Sequence, residues 1–498
     1  MENRFNLIDE PWIPVADVGR VSLRQVFTNF EYRTLGGNPV EKIALMKLLL
    51  AIGQAATELP DEQAWQALDE AALAAGCIAY LEKWHDRFYL YGERPFLQMP
   101  AISVAQQQRY GAVLPEVATG NTTVLSQFNQ ERELLDADKA LLLVLLMGFS
   151  MGGKKTDNSV VLTRGYKGKS NPKGKPSTGK PGPSLGFMGL LHSFVNGKTI
   201  LQSIRLNLLV GSDLRNSEMF SSGLGFPPWE SMPAGEDCKT AQELKQSYMG
   251  RLVPLSRFCL MSDKGLHYSE GLAHMNYQEG IVDPTVAMDA TQSKIKVLWS
   301  DPEKRPWRQL PALLSFIEHE TGTFDCLQLR KALPRARRLL QNFAVWSGGL
   351  RVSSNAGEQY VSGTDDFVES EVWLESNYID KIWFGQLQQE MRELENISKK
   401  TYGCIRGYYT ALKAEGDKLA SQGTSTFWQL CESNFQALVD SCDQGTQAET
   451  ERRKLRKIFA AAALNTYDHF CPNDTARQLD GWAQFRPNFS NYLKREEI

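Results

Sequence analysis

Lys173-Gly174-Lys175-Pro176-Ser177-Thr178-Gly179-Lys180-Pro181-Gly182-Pro183 is the stretch around which the chain is organised. It belongs to a longer segment, residues 152–186, with eight lysines and arginines and a single acid, Asp157, in a chain whose formal net charge is −3. Glycine and proline disfavour a regular helix, so the stretch predicts a loop whose backbone amides are free to meet a ligand. Basic side chains on a glycine-rich loop suit a phosphate backbone.

Two other interpretations fit parts of this loop. A solvated linker would need its charge only to stay extended. A nucleotide-binding P-loop would match G-x-x-x-x-G-K over residues 174–180, but Pro181 stands where the magnesium-binding hydroxyl belongs. Pro181 and Pro183 also prevent the helix whose N-terminus would hold the phosphates. We therefore exclude a nucleotidase.

The composition indicates a globular protein with room for two to four domains in 498 residues. Its eight cysteines form no C-x-x-C pair, and its six histidines show no metal-ligand spacing. We expect no metal, no cofactor and reduced thiols. The first residues lack an apolar signal core and no apolar run spans a membrane, so we expect a cytoplasmic protein without a membrane partner.

Periodicity predicts an α+β chain with a large mixed N-terminal domain, residues 1–376. Predicted helices cover residues 40–56, 61–84, 136–148 and 324–346, the last interrupted at Pro334 and leading to Gly348 and Gly349; predicted strands cover residues 5–8, 199–210, 252–260 and 294–299. Two β-prone flanks around Ser354-Asn355-Ala356-Gly357 then predict a hairpin with a small polar tip.

Long helices are predicted from about Tyr378 onward. Apolar residues recur at three- and four-residue spacing in three stripes, which predicts a C-terminal four-helix bundle over residues 377–498. A basic run, Arg452-Arg453-Lys454 with Arg456 and Lys457, lies on one of these helices. It fits either a solvated face or a contact with nucleic acid.

Several stretches resemble one known family. The opening, Phe5-Asn6-Leu7-Ile8-Asp9-Glu10-Pro11-Trp12-Ile13-Pro14-Val15, is similar to that of CasA, the large subunit of the type I-E CRISPR Cascade complex. Arg94-Pro95-Phe96-Leu97-Gln98, the Pro228-Trp229-Glu230 turn and Gly348-Gly349 follow in the order expected of that family. The resemblance spans nearly the whole chain.

The resemblance implies a non-enzymatic DNA-binding role in antiviral defence. Such a subunit recognises the PAM beside a double-stranded DNA target, helps to open the duplex into an R-loop, and recruits a separate helicase–nuclease. Its expected partners are the other Cascade subunits, the guide crRNA, the target DNA and that effector. The residues that the resemblance implies for DNA binding lie in the glycine-rich loop and the hairpin wedge: Lys173, Gly174, Lys175, Gly179, Lys180, Gly182, Ser354, Asn355, Ala356, Gly357 and Gln359. The charge of the basic run adds Arg452, Arg453 and Lys454 as further candidates for DNA binding.

One feature departs from the family's pattern, and two alternative functions stay open. The family's lysine finger has no lysine in the corresponding region, residues 267–277, which contains His267 and His274. A phosphate-binding nucleic-acid hydrolase and a nonspecific RNA-binding scaffold remain alternative functions. The hydrolase would need a carboxylate or histidine cluster for a metal, and the sequence shows none that is convincing.

Overall fold

The computed structural model describes residues 2–114, 133–149, 161, 189–217, 219–275, 283–289, 291, 294–317, 324–351 and 367–494. The chain divides into two compact units. The first is Met1–Trp307 with Thr323–Glu371, and the second is Arg308–Gly322 with Val372–Ile498. The fold mixes helix and sheet, as the sequence predicted.

Short sheets and helices alternate in the first unit. Its helices are α1 (Leu23–Thr28), α2 (Pro39–Ala56), α3 (Glu62–Ala67), α4 (Glu70–Lys83), α5 (Asp136–Gly148), α6 (Ile200–Asn207), α7 (Gly211–Asn216), α8 (Lys239–Lys245) and α9 (Met249–Leu252). Its first strands are β1 (Arg4–Asn6), β2 (Ile13–Val15), β3 (Gly19–Val21), β4 (Tyr89–Tyr91), β5 (His192–Asn196), β6 (Arg257–Met261), β7 (Leu266–Glu270), β8 (Met288–Asp289) and β9 (Lys296–Val297).

The largest sheet among the described residues has three strands in the order β11-β10-β5, where β10 is Asn342–Leu350 and β11 is Phe367–Glu375. The other strands pair as β1 with β4, β2 with β3, β6 with β7, and β8 with β9. Helix α2 packs against β10, and it is buried along almost its whole length. A capping box at Asn38 and Glu41 and a proline at its first position begin this helix where the sequence predicted it.

Helices make up most of the second unit. They are α10 (Leu310–Leu313), α12 (Lys381–Ala411), α13 (Asp417–Glu432), α14 (Phe435–Asp440), α15 (Thr446–Phe470), α16 (Ala476–Phe485) and α17 (Ser490–Leu493). The long helices α12, α13 and α15 pack on one another, and α16 packs on α12. The apolar stripes predicted from the sequence form this core, with Phe427, Phe435, Phe459 and Ala463 buried. The four-helix arrangement itself stays a prediction.

Two sequence predictions of secondary structure were wrong. Residues 200–207 form a helix rather than a strand, because Thr199 caps its start and the buried Ile200, Leu201 and Ile204 follow helical spacing. Helix α11 (Leu327–Leu339) runs through Pro334, and the chain then enters strand β10 instead of continuing as helix. Buried Arg335, which donates to Glu62 and stacks on Trp65, holds the turn after the proline in place.

Candidate nucleic-acid interface

Two of the three segments predicted to contact DNA, the basic segment and the wedge, are connected in the chain to one end of the β11-β10-β5 sheet. Strands β5 and β10 are antiparallel, with His192 opposite Gly348 and Asn196 opposite Ala344. The first residue of β5 therefore lies beside the last residues of β10. Strand β5 follows the basic segment 152–186 in the chain, and β10 precedes the predicted wedge at 354–359. We call this edge, from Leu190 and His192 to Leu350, the sheet end.

Strand β11 starts at the same sheet end. A Cβ atom built on Gly348 would lie 3.1 Å from the carbonyl oxygen of Val368, near the start of β11. Further along, the Trp346 indole Nε1 donates to Glu369 over 2.6 Å. The segment that joins β10 to β11 thus begins and finishes at the sheet end.

The described residues on either side of the basic segment also meet at the sheet end. Phe149 directly follows α5, and its ring meets the His192 imidazole edge-on with 5.6 Å between centroids. Between these two residues, the carbonyl of Val161 accepts a hydrogen bond from the Glu236 amide over 2.8 Å. Phe149 and His192, the described residues on either side of the basic segment, therefore contact each other at the sheet end.

Gly348 and Gly349 do not have the role that the sequence suggested. The sequence placed them after a predicted helix over residues 324–346, but both lie in the buried strand β10. A Cβ atom on Gly349 would come within 2.7 Å of the Leu190 carbonyl and closer still to the Ser300 hydroxyl. Glycine is required here for close packing of two backbones at the sheet end.

A buried polar network connects helix α2 to the sheet end. Lys47 of α2 forms an ion pair with Asp283, and both side chains are at most 4% exposed. Asp283 Oδ1 accepts hydrogen bonds from the Thr285 amide over 3.0 Å and from its hydroxyl over 2.7 Å. Thr285 Oγ1 lies 2.7 Å from Nδ1 of His192. A continuous path of hydrogen bonds therefore links α2 to the first residue of β5.

Burial sets the charge states in this network. Burial lowers the pKa of His192 to about 3, with help from the Lys47 charge, so its imidazole is neutral at physiological pH. Burial alone would raise the pKa of Asp283, but Lys47 and the hydrogen bonds hold it below its usual value. Burial lowers the pKa of Lys47, and the contact with Asp283 opposes that shift. Sequence reasoning missed these residues as a group, since they lie far apart in the chain.

The basic run of α15 is divided between the buried face and the exposed face of the helix. Arg452 is buried, where its guanidinium donates to the carbonyls of Ser441 and Asp443 and to Glu449. Arg456 is also buried and is paired with Glu390. Arg453 and Lys454 are exposed, with ion pairs to acids of the same helix. The expectation of one continuous outward face needs correction, because every third or fourth residue of α15 enters the core.

The histidines of the predicted finger region have structural partners. His274 is buried and its Nε2 lies 2.8 Å from the Pro254 carbonyl, while burial and the nearby Arg251 charge keep its pKa well below the usual value. His267 lies on β7, with Nδ1 2.7 Å from the Ala105 carbonyl. His274 therefore does not take the place of a lysine finger.

The other predicted site residues lie outside the described part of the chain. They are Lys173, Gly174, Lys175, Gly179, Lys180 and Gly182 of the basic segment, and Ser354, Asn355, Ala356, Gly357 and Gln359 of the wedge. Within the residues that are described, no group of three or more histidine, cysteine, aspartate or glutamate side chains is arranged to hold a metal. None of the described helices has the length and apolar character of a transmembrane span.

Comparison with known proteins identifies the class of this fold. The sequence model of the family described as "CRISPR-associated protein Cse1" matches residues 6–466. A curated CasA/Cse1 protein of Thermus thermophilus is 27% identical over 338 residues, which cover 62% of this chain and 60% of that protein. The alignment thus spans less than two thirds of the relative's length.

Solved structures superimpose on this chain over almost its full length. Thermus thermophilus CasA (Cse1) superimposes with a TM-score of 0.72 at 19% identity, covering 99% of both chains. Thermobifida fusca Cse1 gives 0.69 at 19% identity, covering 98% of both chains. The fold is therefore that of a class of CRISPR-associated proteins. The chain belongs to the Cse1 family, also named CasA, which confirms the resemblance inferred from the sequence.

Proposed function

We propose that this protein is the PAM-recognising large subunit of a type I-E Cascade complex. In this role it binds foreign double-stranded DNA, helps to open it for R-loop formation, and recruits a separate helicase–nuclease that performs the cutting. The chain itself performs no chemistry. Its partners are the other Cascade subunits, the guide crRNA, the target DNA and the effector.

The observation that carries this proposal is the shared sheet end. A PAM reader that also opens the duplex needs two contacts on adjacent base pairs, one to the intact PAM and one at the first pair to be parted. Residues 152–186 and 354–359 attach at neighbouring strands of one sheet, with His192 opposite Gly348. Neighbouring strands in a sheet are about 4.8 Å apart, and successive base pairs of a duplex are about 3.4 Å apart. The two attachment points are therefore spaced by about one to two base pairs.

The residue types fit this division of labour. The minor groove is only about 6 Å wide and offers a degenerate pattern of donors and acceptors. A glycine-rich backbone enters such a groove where bulky side chains do not, and the lysines around it neutralise phosphates. Small polar residues at a wedge offset part of the cost of unstacking, which is a few kcal/mol per step. Guide pairing is otherwise a near-balanced exchange, so modest protein contacts tip it.

The experiment is a salt titration of DNA binding by the reconstituted complex. Replacing Lys173, Lys175 and Lys180 with alanine should weaken binding to all duplex sequences, and the slope of log K against log salt should fall by about one unit per lost phosphate contact. A control variant with three exposed lysines changed, Lys239, Lys413 and Lys418 to alanine, removes the same charge elsewhere. Equal slopes for the two variants would show that the basic segment is only a linker.

A further inference from the structure

The buried network behind the sheet end has one consistent arrangement of protons. The carboxylate of Asp283 only accepts, so the Thr285 hydroxyl, 2.7 Å away, must donate its single proton to Oδ1. The Thr285 oxygen then has only lone pairs left for His192, 2.7 Å away. His192 must therefore donate from Nδ1–H. Because the imidazole is neutral, its Nε2 carries no proton.

This arrangement of protons holds the His192 ring in one orientation at the sheet end. His192 is the first residue of β5, it pairs with Gly348 of β10, and its ring packs against Phe149. The amide of Ser193 also donates to the Thr285 carbonyl over 2.8 Å. Thr285 thus holds the sheet end through its hydroxyl and through its backbone, and Asp283 ties it to Lys47 of helix α2.

We propose that Thr285 is a positioning residue for DNA recognition, whose hydroxyl orients His192 and thereby sets the geometry of the sheet end. The inference rests on the proposed function, because DNA is the ligand that these segments would meet. It assigns Thr285 no contact with DNA. Its side chain acts on the geometry of the sheet end.

The chain contains a matched control for this hydroxyl. Asp289 Oδ1 accepts from the Thr291 amide over 3.0 Å and from its hydroxyl over 2.6 Å, the same turn that Asp283 and Thr285 form. Thr291 is exposed, whereas Thr285 is buried. Thr285→Val and Thr291→Val each remove one hydroxyl from one Asp-x-Thr turn and retain a β-branched side chain. Thr285→Ser keeps the hydroxyl.

The first measurement is the tautomer of His192, obtained by long-range ¹H–¹⁵N NMR of the histidine-labelled full chain, with His192→Asn to assign the signal. We expect the Nδ1–H form in the wild type, in Thr285→Ser and in Thr291→Val. We expect loss of that form in Thr285→Val. An Nε2–H tautomer in the wild type would overturn the proposal without reference to any variant.

The second measurement is binding of PAM-containing duplex by complexes reconstituted with each variant. Thr285→Val should bind about tenfold more weakly, and Thr285→Ser and Thr291→Val should bind as the wild type does. Hydrogen–deuterium exchange at residues 189–195 should rise only in Thr285→Val. Wild-type affinity in Thr285→Val, despite an altered tautomer, would refute the positioning role. Failure of the wild-type complex to bind any duplex would instead refute the proposed function.

Discussion

His192 illustrates what burial does to a single side chain. Its pKa is lowered to about 3 in the folded chain, whereas the unfolded chain restores an ordinary value near 6.5. Between these two values the unfolded state binds the extra proton, so acid favours unfolding. The stability that His192 contributes is therefore complete above pH 6.5 and is lost progressively as the pH falls toward 3.

We expect the free energy of unfolding to be lower at pH 5 than at pH 7, by about 2 kcal/mol for each such buried histidine. His274 adds to the effect, since its pKa is lowered as well. His192→Asn should remove part of this pH dependence. Urea unfolding of the full chain at pH 5, 6 and 7 measures it. Identical pH dependence in the wild type and His192→Asn would contradict the assignment.

For a single side chain, the sequence predicts its general role better than its hydrogen-bond partners in the fold. The histidines show no metal-ligand spacing in the sequence, and His192, His267 and His274 each have a polar partner in the fold. The hydrogen bond from His192 to Thr285 crosses 93 residues of sequence. Periodicity describes only neighbours within a helix or strand, so it contains no information about such a contact.

At the scale of the element, helix α15 separates structural from surface arginines. Arg452→Gln should lower the free energy of unfolding by about 3 kcal/mol, because it leaves buried carbonyls and Glu449 without their donor. Arg453→Gln, one residue away and exposed, should change it by less than about 0.5 kcal/mol. Thermal or urea unfolding of the two variants measures the difference. Equal losses would show that the buried contacts of Arg452 are not retained in solution.

The exposed residues of the same run, Arg453 and Lys454, are the ones predicted to contact DNA. Reversing Arg453 and Lys454 to glutamate should shorten the lifetime of the R-loop and leave initial PAM binding unchanged, if these side chains lie along the displaced single strand. R-loop dissociation and duplex binding are measured on the same reconstituted complexes. Equal loss of both would place the run elsewhere.

Elements were predictable where local signals and tertiary packing agree. Helix α5 runs over residues 136–148 as predicted, since its leucine-rich run is buried on nearly all sides. Residues 342–350 were predicted as helix and loop, but form a strand because β5 and β11 offer hydrogen-bonding partners on both sides. Pairing partners distant in sequence thus overrode the local pattern.

At the scale of the whole molecule, the sequence predicted the basic segment and the wedge as DNA contacts without indicating that the two lie together. They are separated by more than 160 residues, and the resemblance to CasA supplied their roles but no geometry. The sheet brings their attachment points side by side through the pairing of His192 with Gly348. The two segments can nevertheless be tested separately, because the basic segment is expected to act on the closed duplex and the wedge on the opened one.

The wedge prediction uses this separation. Contacts to parted bases exist only after the duplex opens, so their loss should affect opening more than encounter. Replacing residues 354–359 with a glycine–serine linker of equal length keeps the connection between β10 and β11. We expect this variant to bind a PAM-containing duplex nearly as the wild type does, but to form R-loops slowly or not at all. Strand-reactivity footprinting measures opening, and a gel-shift titration measures encounter.

A target already unpaired beside the PAM should restore R-loop formation to the linker variant, because the unstacking cost of a few kcal/mol has been removed in advance. The same target should not rescue the triple alanine variant at Lys173, Lys175 and Lys180, whose defect lies in phosphate contacts to the closed duplex. Normal opening of a fully paired target by the linker variant would show that this segment is not the wedge. Rescue of both variants by the unpaired target would show that the two segments act on the same step, which the division of roles at the sheet end does not allow.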